Sequence, residues 1–305
     1  MLGIAAATGW LVWFGAATLM RSGRLDGTLG AGWVELAGPA FVLVVLAAVI
    51  CEQVWPAQPR RLLARGHVQD ACFFVVYAGC VVPVMTLLGV AFARILGTHA
   101  GWIEARWTAS WPLWLVVTLT LVGMDAANWL AHWADHRLKV LWRLHAVHHS
   151  QEELSVLTSF RAHPLVHTTG FFLATIPVVV LMGDRSIAPV LITVYVCLGT
   201  LPHANVPWSF GPLGKVVVSP AYHRIHHAIG APSGANLGIV LTLWDVLASR
   251  AIFPASGAPV PETGLAGRPL PVEQSDPRRR PVAVLAGQLV EPFTARGLSP
   301  GRSPR

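Results

Sequence analysis

Six stretches of this 305-residue chain run for 16 to 22 residues without a single Asp, Glu, Lys or Arg, and nothing else in the sequence restricts its fold as much. They cover 1–20, 36–51 (between Glu35 and Glu52), 72–93, 107–124, 164–183 and 186–201. A bilayer core of about 30 Å is crossed by roughly 20 apolar helical residues, and a helix satisfies its own backbone polar groups there. The pattern predicts an all-α integral membrane protein with four to six transmembrane helices. The 36–51 run is short for a span. The last two runs, parted only by Asp184 and Arg185, read as a tight helical hairpin that crosses or re-enters. Composition agrees: 54% of residues are hydrophobic, 12% are charged and the mean hydropathy is +0.56. A soluble domain carries about 25% charged residues, so this chain has too few to cover a water-facing surface. Disorder and collagen-like structure are excluded for most of the length.

The net charge of +7 and pI near 9.9 do not point to nucleic acid, because the basic residues lie between apolar runs, as in membrane loops. Seventeen of the 22 Lys and Arg fall in 56–67, in 132–163 or after His203, leaving Arg21, Arg24, Arg94, Arg106 and Arg185 elsewhere. Those three regions therefore belong on the cytoplasmic side. Arginine outnumbers lysine and Ala, Gly and Pro abound, as in GC-rich bacterial genomes, so the expected location is a bacterial inner membrane. No Lys or Arg precedes Arg21, so 1–20 lacks a signal peptide's basic head and reads as a retained span. Cys51, Cys72, Cys80 and Cys197 form no C-x-x-C pair and read as small buried hydrophobes.

Eleven of the 13 histidines lie between His132 and His227. They form His132-x-x-x-His136, His145-x-x-His148-His149 and His223-x-x-His226-His227. On a helix, residues three or four apart share a face with Cβ atoms about 5–6 Å apart, so each box offers two or three imidazoles to one point. Imidazole suits Fe, Zn, Cu and Ni. One such box alone is weak evidence, but two with identical H-x-x-H-H spacing have no packing explanation that also needs imidazole, and three imply a polynuclear site. His67 and His99 lie in loops apart from them. The boxes all fall on one side of the predicted membrane, because the helix through 107–124 continues to about Leu130 and the 164–201 hairpin returns His203 to the same face.

The ordered set "DAANWLAHWADHRLKVLWRLHAVHHS" (125–150), "RAHPLVH" (161–167), "HANVP" (203–207), "SPAYHRIHHA" (219–228) and "NLGIVLTLWDVL" (236–247), with "LAGQLVEPF" (285–293) near the end, resembles the fatty acid hydroxylase/sterol desaturase superfamily. The resemblance implies a helical membrane protein with a cytosolic histidine-rich helical cap. It implies two iron ions per chain, O2 as co-substrate, and hydroxylation or desaturation of a lipid such as a fatty acyl chain, sterol or other isoprenoid. It carries the ligand role to His132, His136, His145, His148, His149, His223, His226 and His227, with His203 as a ninth; His163 and His167 stay open between ligand and supporting group. An all-imidazole site also accepts zinc, so zinc can occupy it after heterologous expression. One departure stands out: Trp244-Asp245 is followed by "VLASR" where many relatives have a Phe-Gly-Thr turn.

Imidazole ligands need acceptors for their second ring N–H. Asp125, Asp135, Asn205, Asn236 and Asp245 are the candidates, with Asp125 and Asn205 placed in the site. Asp125, seven residues before His132, is expected to accept a hydrogen bond from it. The sequence has no flavin, dinucleotide or iron–sulfur fingerprint, so electrons are expected from a separate ferredoxin or small haem carrier with its reductase. The competing readings are a histidine-rich metal transporter, a zinc-dependent hydrolase and a haem carrier. They fit less well: the boxes lie in polar stretches, and His132 is followed by Trp133 rather than the Glu of H-E-x-x-H. The chain divides into membrane spans and loops (1–108), a catalytic domain (109–253) and a Pro/Arg-rich tail (254–305), mostly flexible with one short helix in 282–293.

The orientation is testable. A cysteine at Arg61 or Lys139 is expected to react with an impermeant maleimide only from the cytoplasmic side, and one at Thr98 only from outside. Labelling of the Lys139 position from outside would overturn the assignment.

Overall fold

The computed structural model describes residues 31–60, 64–99, 105–182, 188–265 and 280–294. The predicted span over 1–20, the hairpin tip at Asp184–Arg185 and the tail segments 266–279 and 295–305 lie outside the described residues. Within them the chain is helical, and the only β pairings are two isolated bridges, Val217 with Leu241 and Ala228 with Thr263.

Helix α1 (Ala31–Val54) is followed by α2 (Arg65–Val76), a π-helical turn (Tyr77–Val81) and α3 (Val82–His99), which run on as one rod. Pro83 accounts for the π turn. It has no N–H to give to Gly79, and the wider turn, in which Val82 N–H bonds to Tyr77 C=O, absorbs its ring. Helix α4 (Leu113–Arg137) and α5 (Lys139–His149) are separated by one extended residue, Leu138 (φ −94°, ψ 119°). Helices α6 (Pro164–Met182) and α7 (Ala188–Thr200) follow, then the short α8 (Pro220–His226) and α9 (Leu243–Leu247), and finally α10 (Pro281–Thr294). Ser219 caps α8 by accepting from Tyr222 N–H, with Pro220 in the first helical position.

Among the described residues three helices are long and apolar enough to cross a membrane: Arg65–Gly89, Leu113–Arg137 and Pro164–Met182. Two shorter apolar helices, Pro39–Val54 and Leu191–His203, correspond to the two short runs of the sequence. Helices α4 and α6 approach closely where both lack bulk. A Cβ on Gly123 would lie 2.9 Å from Pro177, and one on Gly170 would lie 3.1 Å from Asn128. The large exposed side chains on these rods, such as Leu87, Trp114 and Ile176, are the apolar exterior that a bilayer would cover.

Two carboxylates tie the long helices to the polar layer. Glu52, near the end of α1, accepts from Val156 N–H at 2.6 Å and Asn205 N–H at 2.9 Å. Asp70 on α2 accepts from Thr158 Oγ1 at 2.7 Å and pairs with Arg161 at 3.3 Å, both partners buried. Arg161 also donates to Val147 C=O and Ser150 Oγ, closing the end of α5 onto α2. The chain beyond Pro254, expected to be loose, is packed through Leu265: Gly264 N–H donates to His227 C=O, and Thr263 Oγ1 to Glu152 C=O. Helix α10 docks on α2 and on the start of α6 through Gln69–Gln288 (2.8 Å) and His163–Leu289 C=O (3.2 Å). The tail thus contributes to the cap.

Removing one member of a buried ion pair costs about 3–5 kcal/mol, because the other charge stays desolvated. Asp70→Ala is therefore expected to lower the melting temperature in detergent substantially, and Asp70→Ala with Arg161→Met to recover part of the loss. Equal melting of Asp70→Ala and the parent would remove this latch from the account.

Candidate metal centre

Nine histidines converge in two groups. His132, His136, His145, His149 and His226 form one; His148, His203, His223 and His227 form the other, and within each group the candidate ligand atoms lie within 4.8 Å of one another. All nine side chains are buried. The single extended residue Leu138 makes this possible. It turns α5 back on the end of α4, so that His145 and His149 face His132 and His136. Helix α4 itself runs through both of its histidines, farther than the expected end near Leu130. His149 stacks on His227 with ring centroids 4.5 Å apart, so the two groups adjoin.

Hydrogen bonds fix which nitrogen four of the nine rings turn inward. A carbonyl can only accept, so His132 Nδ1 donates to Leu237 C=O (2.9 Å), His226 Nδ1 to Ala235 C=O (2.8 Å) and His148 Nδ1 to Arg161 C=O (3.1 Å). Ser159 Oγ gives its proton to Thr200 C=O and so accepts from His203 Nδ1 at 2.9 Å. In neutral rings, Nε2 is then a bare lone pair. Yet His148 Nε2 and His203 Nε2 face each other at 3.1 Å, whereas His223, whose Nδ1 is unpartnered, can give an Nε2 proton to His203 Nε2 at 3.0 Å. His132 Nε2 and His226 Nε2 are buried with no partner at all. No proton resolves this: burial, reinforced by repulsion between neighbouring imidazoles, holds the pKa of His148 down at about 3 and those of His145, His149, His203, His223, His226 and His227 well below the usual value. Lone pairs converging on two points in a dry interior fit two borderline cations and nothing else in the chain's own chemistry.

Residues 117–249, which include every member of both groups, match the fatty acid hydroxylase family profile. That match and the relatives that follow support a likeness to the fatty acid hydroxylase superfamily. It is 30% identical over 187 residues to an ornithine lipid hydroxylase of Rhizobium tropici, covering 61% of this chain and 54% of that one. Alkylglycerol monooxygenases of Xenopus tropicalis (24% over 220 residues) and Homo sapiens (26% over 223) each match 70% of this chain and 46% of their own length. The chain thus spans about half the length of the curated relatives it matches. No solved structure is significantly similar to it.

The acidic and amide residues of this chain act differently from the expectation. Asp125 does not touch His132. It accepts from Val240 N–H (3.0 Å), Leu241 N–H (3.1 Å), Trp244 Nε1 (2.9 Å) and Tyr195 Oη (3.1 Å), pinning the 240–244 segment to α4. Asn205 likewise meets no imidazole; its amide bonds to Gln58 and Arg224. Asp245 is one step closer to the centre. It accepts from Leu237 N–H, Gly238 N–H, Trp129 Nε1 and Tyr222 Oη at 2.7–3.0 Å, and Leu237 is the residue whose carbonyl holds His132. Asn236 supplies the bend. Its φ of 54° is left-handed, which Asn tolerates, and the flanking carbonyls of Ala235 and Leu237 hold His226 and His132. Asp135 lies 3.8 Å from His145 Nδ1. In place of a Phe-Gly-Thr turn, Ser249 takes a positive φ of 56°, and Arg250 closes back through its N–H to Asp245 C=O and its guanidinium to Gly234 C=O.

His163 has both ring nitrogens engaged, with Leu165 N–H and Leu289 C=O, and belongs to neither group. His167 is also outside both. Sequence reasoning missed Ser159, Arg161, Tyr195 and Tyr222. A single signal was available, Arg161 standing between an apolar stretch and the first turn of α6; the others carry no distinguishing local pattern.

Loss of a group that orients a ligand typically lowers metal affinity or activity about 10- to 100-fold. Asp245→Asn keeps size but gives up acceptor capacity toward four donors, so it is expected to weaken metal retention against a chelator by that order. Asp125→Asn, one contact farther away, is expected to lose less. Parent-like retention in Asp245→Asn would show that the Leu237 carbonyl holds its place without it.

Proposed function

We propose that this protein is a membrane-bound, O2-dependent oxidoreductase that hydroxylates a lipid at a di-iron centre, with His132, His136, His145, His149 and His226 holding one ion and His148, His203, His223 and His227 the other. The observation that carries the reading is the opposed pair His148 Nε2 and His203 Nε2, whose Nδ1 protons are both committed elsewhere. Two iron ions would supply activation of dioxygen for attack on an unactivated C–H bond, chemistry beyond any side chain.

The chain's own part is to bind, orient and exclude water. The carbonyls of Arg161, Ala235 and Leu237 and the hydroxyl of Ser159 set the tautomers, so that the inward nitrogens are neutral donors to a metal without prior loss of a proton. Burial of all nine rings keeps water from the reacting atoms. His132 and His136 sit at the end of an apolar helix that can reach from lipid to the cytoplasmic face. A substrate dissolved in the bilayer and a soluble electron donor could thus approach from opposite sides. The substrate class is an amphiphilic lipid, in keeping with the ornithine lipid and alkylglycerol substrates in the relatives' names. The donor is a separate ferredoxin or small haem carrier with its reductase, and the location is the bacterial inner membrane with the boxes facing the cytoplasm. Desaturation is the alternative outcome of the same centre.

Two measurements test this together. Protein purified without chelator is expected to carry about two metal ions per chain, iron being required for activity even where zinc fills the site, and His148→Ala with His226→Ala to carry far fewer. Lipid mass spectrometry of cells with and without the gene is expected to show a gain of one oxygen; loss of two hydrogens would reassign it as a desaturase. Full metal content in the double variant would defeat the ligand assignment.

A further inference from the structure

The layer on the membrane side of the second histidine group holds two polar side chains that neither the fold nor the metal centre uses. Tyr77 opens the π turn between α2 and α3, and His167 lies in the first turns of α6; their rings are 5.0 Å apart. His167 Nε2 is buried without a hydrogen-bond partner. Tyr77 is half-buried, and its Oη makes no hydrogen bond among the described residues. The surroundings are aromatic. Phe160 packs on Tyr77 at 5.1 Å and on Phe74 at 4.9 Å. Two buried carboxylates show the contrast: Asp125 and Asp245 each accept four hydrogen bonds. Two unengaged polar groups side by side in an apolar layer therefore call for a partner that the chain itself does not provide.

The position of the pair indicates what that partner is. Phe160 is flanked by Ser159, which holds His203, and by Arg161, whose carbonyl holds His148, so the pair is one aromatic ring away from the groups that orient the second histidine cluster. His167 is also close enough to His148 to be felt electrostatically. Along α2, Tyr77 is seven residues beyond Asp70, about 10 Å deeper at the helical rise of 1.5 Å per residue. Asp70 is the residue joined to Arg161 and Thr158 at the polar layer, so that direction leads into the membrane. A lipid reaching the centre from the bilayer would pass this point.

We propose that Tyr77 and His167 form a subsite that hydrogen-bonds an oxygen function of the lipid, such as an ester, amide or ether oxygen, and so sets how many carbons separate that group from the C–H bond presented to the metals. Tyr77 Oη donates, and neutral His167 completes the pairing as donor or acceptor according to its tautomer. The proposal rests on the lipid-hydroxylase reading and deepens it: the substrate is an oxygen-bearing lipid held in register, not a plain hydrocarbon chain gripped by shape alone.

The test is equilibrium binding of two radiolabelled probes, a long-chain methyl ester and the alkane of matched length, to the full-length, metal-loaded protein in detergent. The parent is expected to prefer the ester by about tenfold, the order expected of one or two net hydrogen bonds. Tyr77→Phe and His167→Phe keep ring packing, and each is expected to lose most of that preference while alkane binding, metal content and melting temperature stay at parent values. Product analysis on a natural lipid extract should show the oxidised position spreading along the chain in both variants. An unchanged ester preference and a single product position in both variants would overturn the subsite. Should the parent oxidise lipid yet show no ester preference, the subsite alone fails; should it bind neither probe and oxidise no lipid, the hydroxylase reading falls with it.

Discussion

Nine imidazoles packed into a dry interior, with their free lone pairs turned toward two points, are an arrangement that water-soluble side-chain chemistry avoids. The neutral rings of His148 and His203, whose Nδ1 protons are already donated, repel one another where their Nε2 atoms meet at 3.1 Å. Holding them there requires that each ring be fixed in tautomer and rotation, and the fixing groups are mainly backbone carbonyls at Arg161, Ala235 and Leu237. Carbonyls in irregular segments are only as well placed as the segments themselves. Much of the remaining polar structure follows from that need: Asp245 secures the amides around Leu237, Asp125 secures 240–244, Glu52 secures Val156 and Asn205, and Asp70 secures Arg161. Each of these four carboxylates is spent on backbone amides or on side chains that bond the backbone near the clustered histidines.

This hierarchy explains what could be read from the sequence. The histidines were legible because ligation demands a particular side chain, and helical geometry demands spacings of three and four. The apolar rods were legible because a bilayer demands length without charge; the runs at 72–93, 107–124 and 164–183 lie largely within the helices that the fold shows. Most of the orienting layer was not legible. A backbone carbonyl has no residue identity, and the carboxylates that position the loops act across large separations, Glu52 on Asn205 over 153 positions and Asp125 on Leu241 over 116. Local reasoning paired Asp125 with His132 because two helical turns separate them on one face. The 240–244 segment, distant in sequence, reaches that carboxylate first and saturates it with two amides and an indole N–H.

The same logic applies to the tail. A segment rich in Pro, Gly and Arg shows no periodicity that would predict packing, yet residues up to Leu265 lie against the third histidine box, and α10 closes over α2. Their contacts are made through single groups, Gly264 N–H on the His227 carbonyl and the Gln69–Gln288 amide pair. Such contacts need only one suitably placed polar group per segment, which composition does not reveal.

Dividing the labour in this way has a physical consequence. Because imidazoles fill the centre and carboxylates hold the loops, little fixed negative charge would balance a cation directly; among the described residues Asp135 comes within 3.8 Å of His145 Nδ1. A cation held there would be bound by donation from neutral nitrogen rather than by charge neutralisation, and it would offset the repulsion between the facing lone pairs of His148 and His203. Metal occupancy and the stability of the segments that carry His203 and His223–His227 are therefore coupled, as in other proteins whose ligands are assembled only by folding.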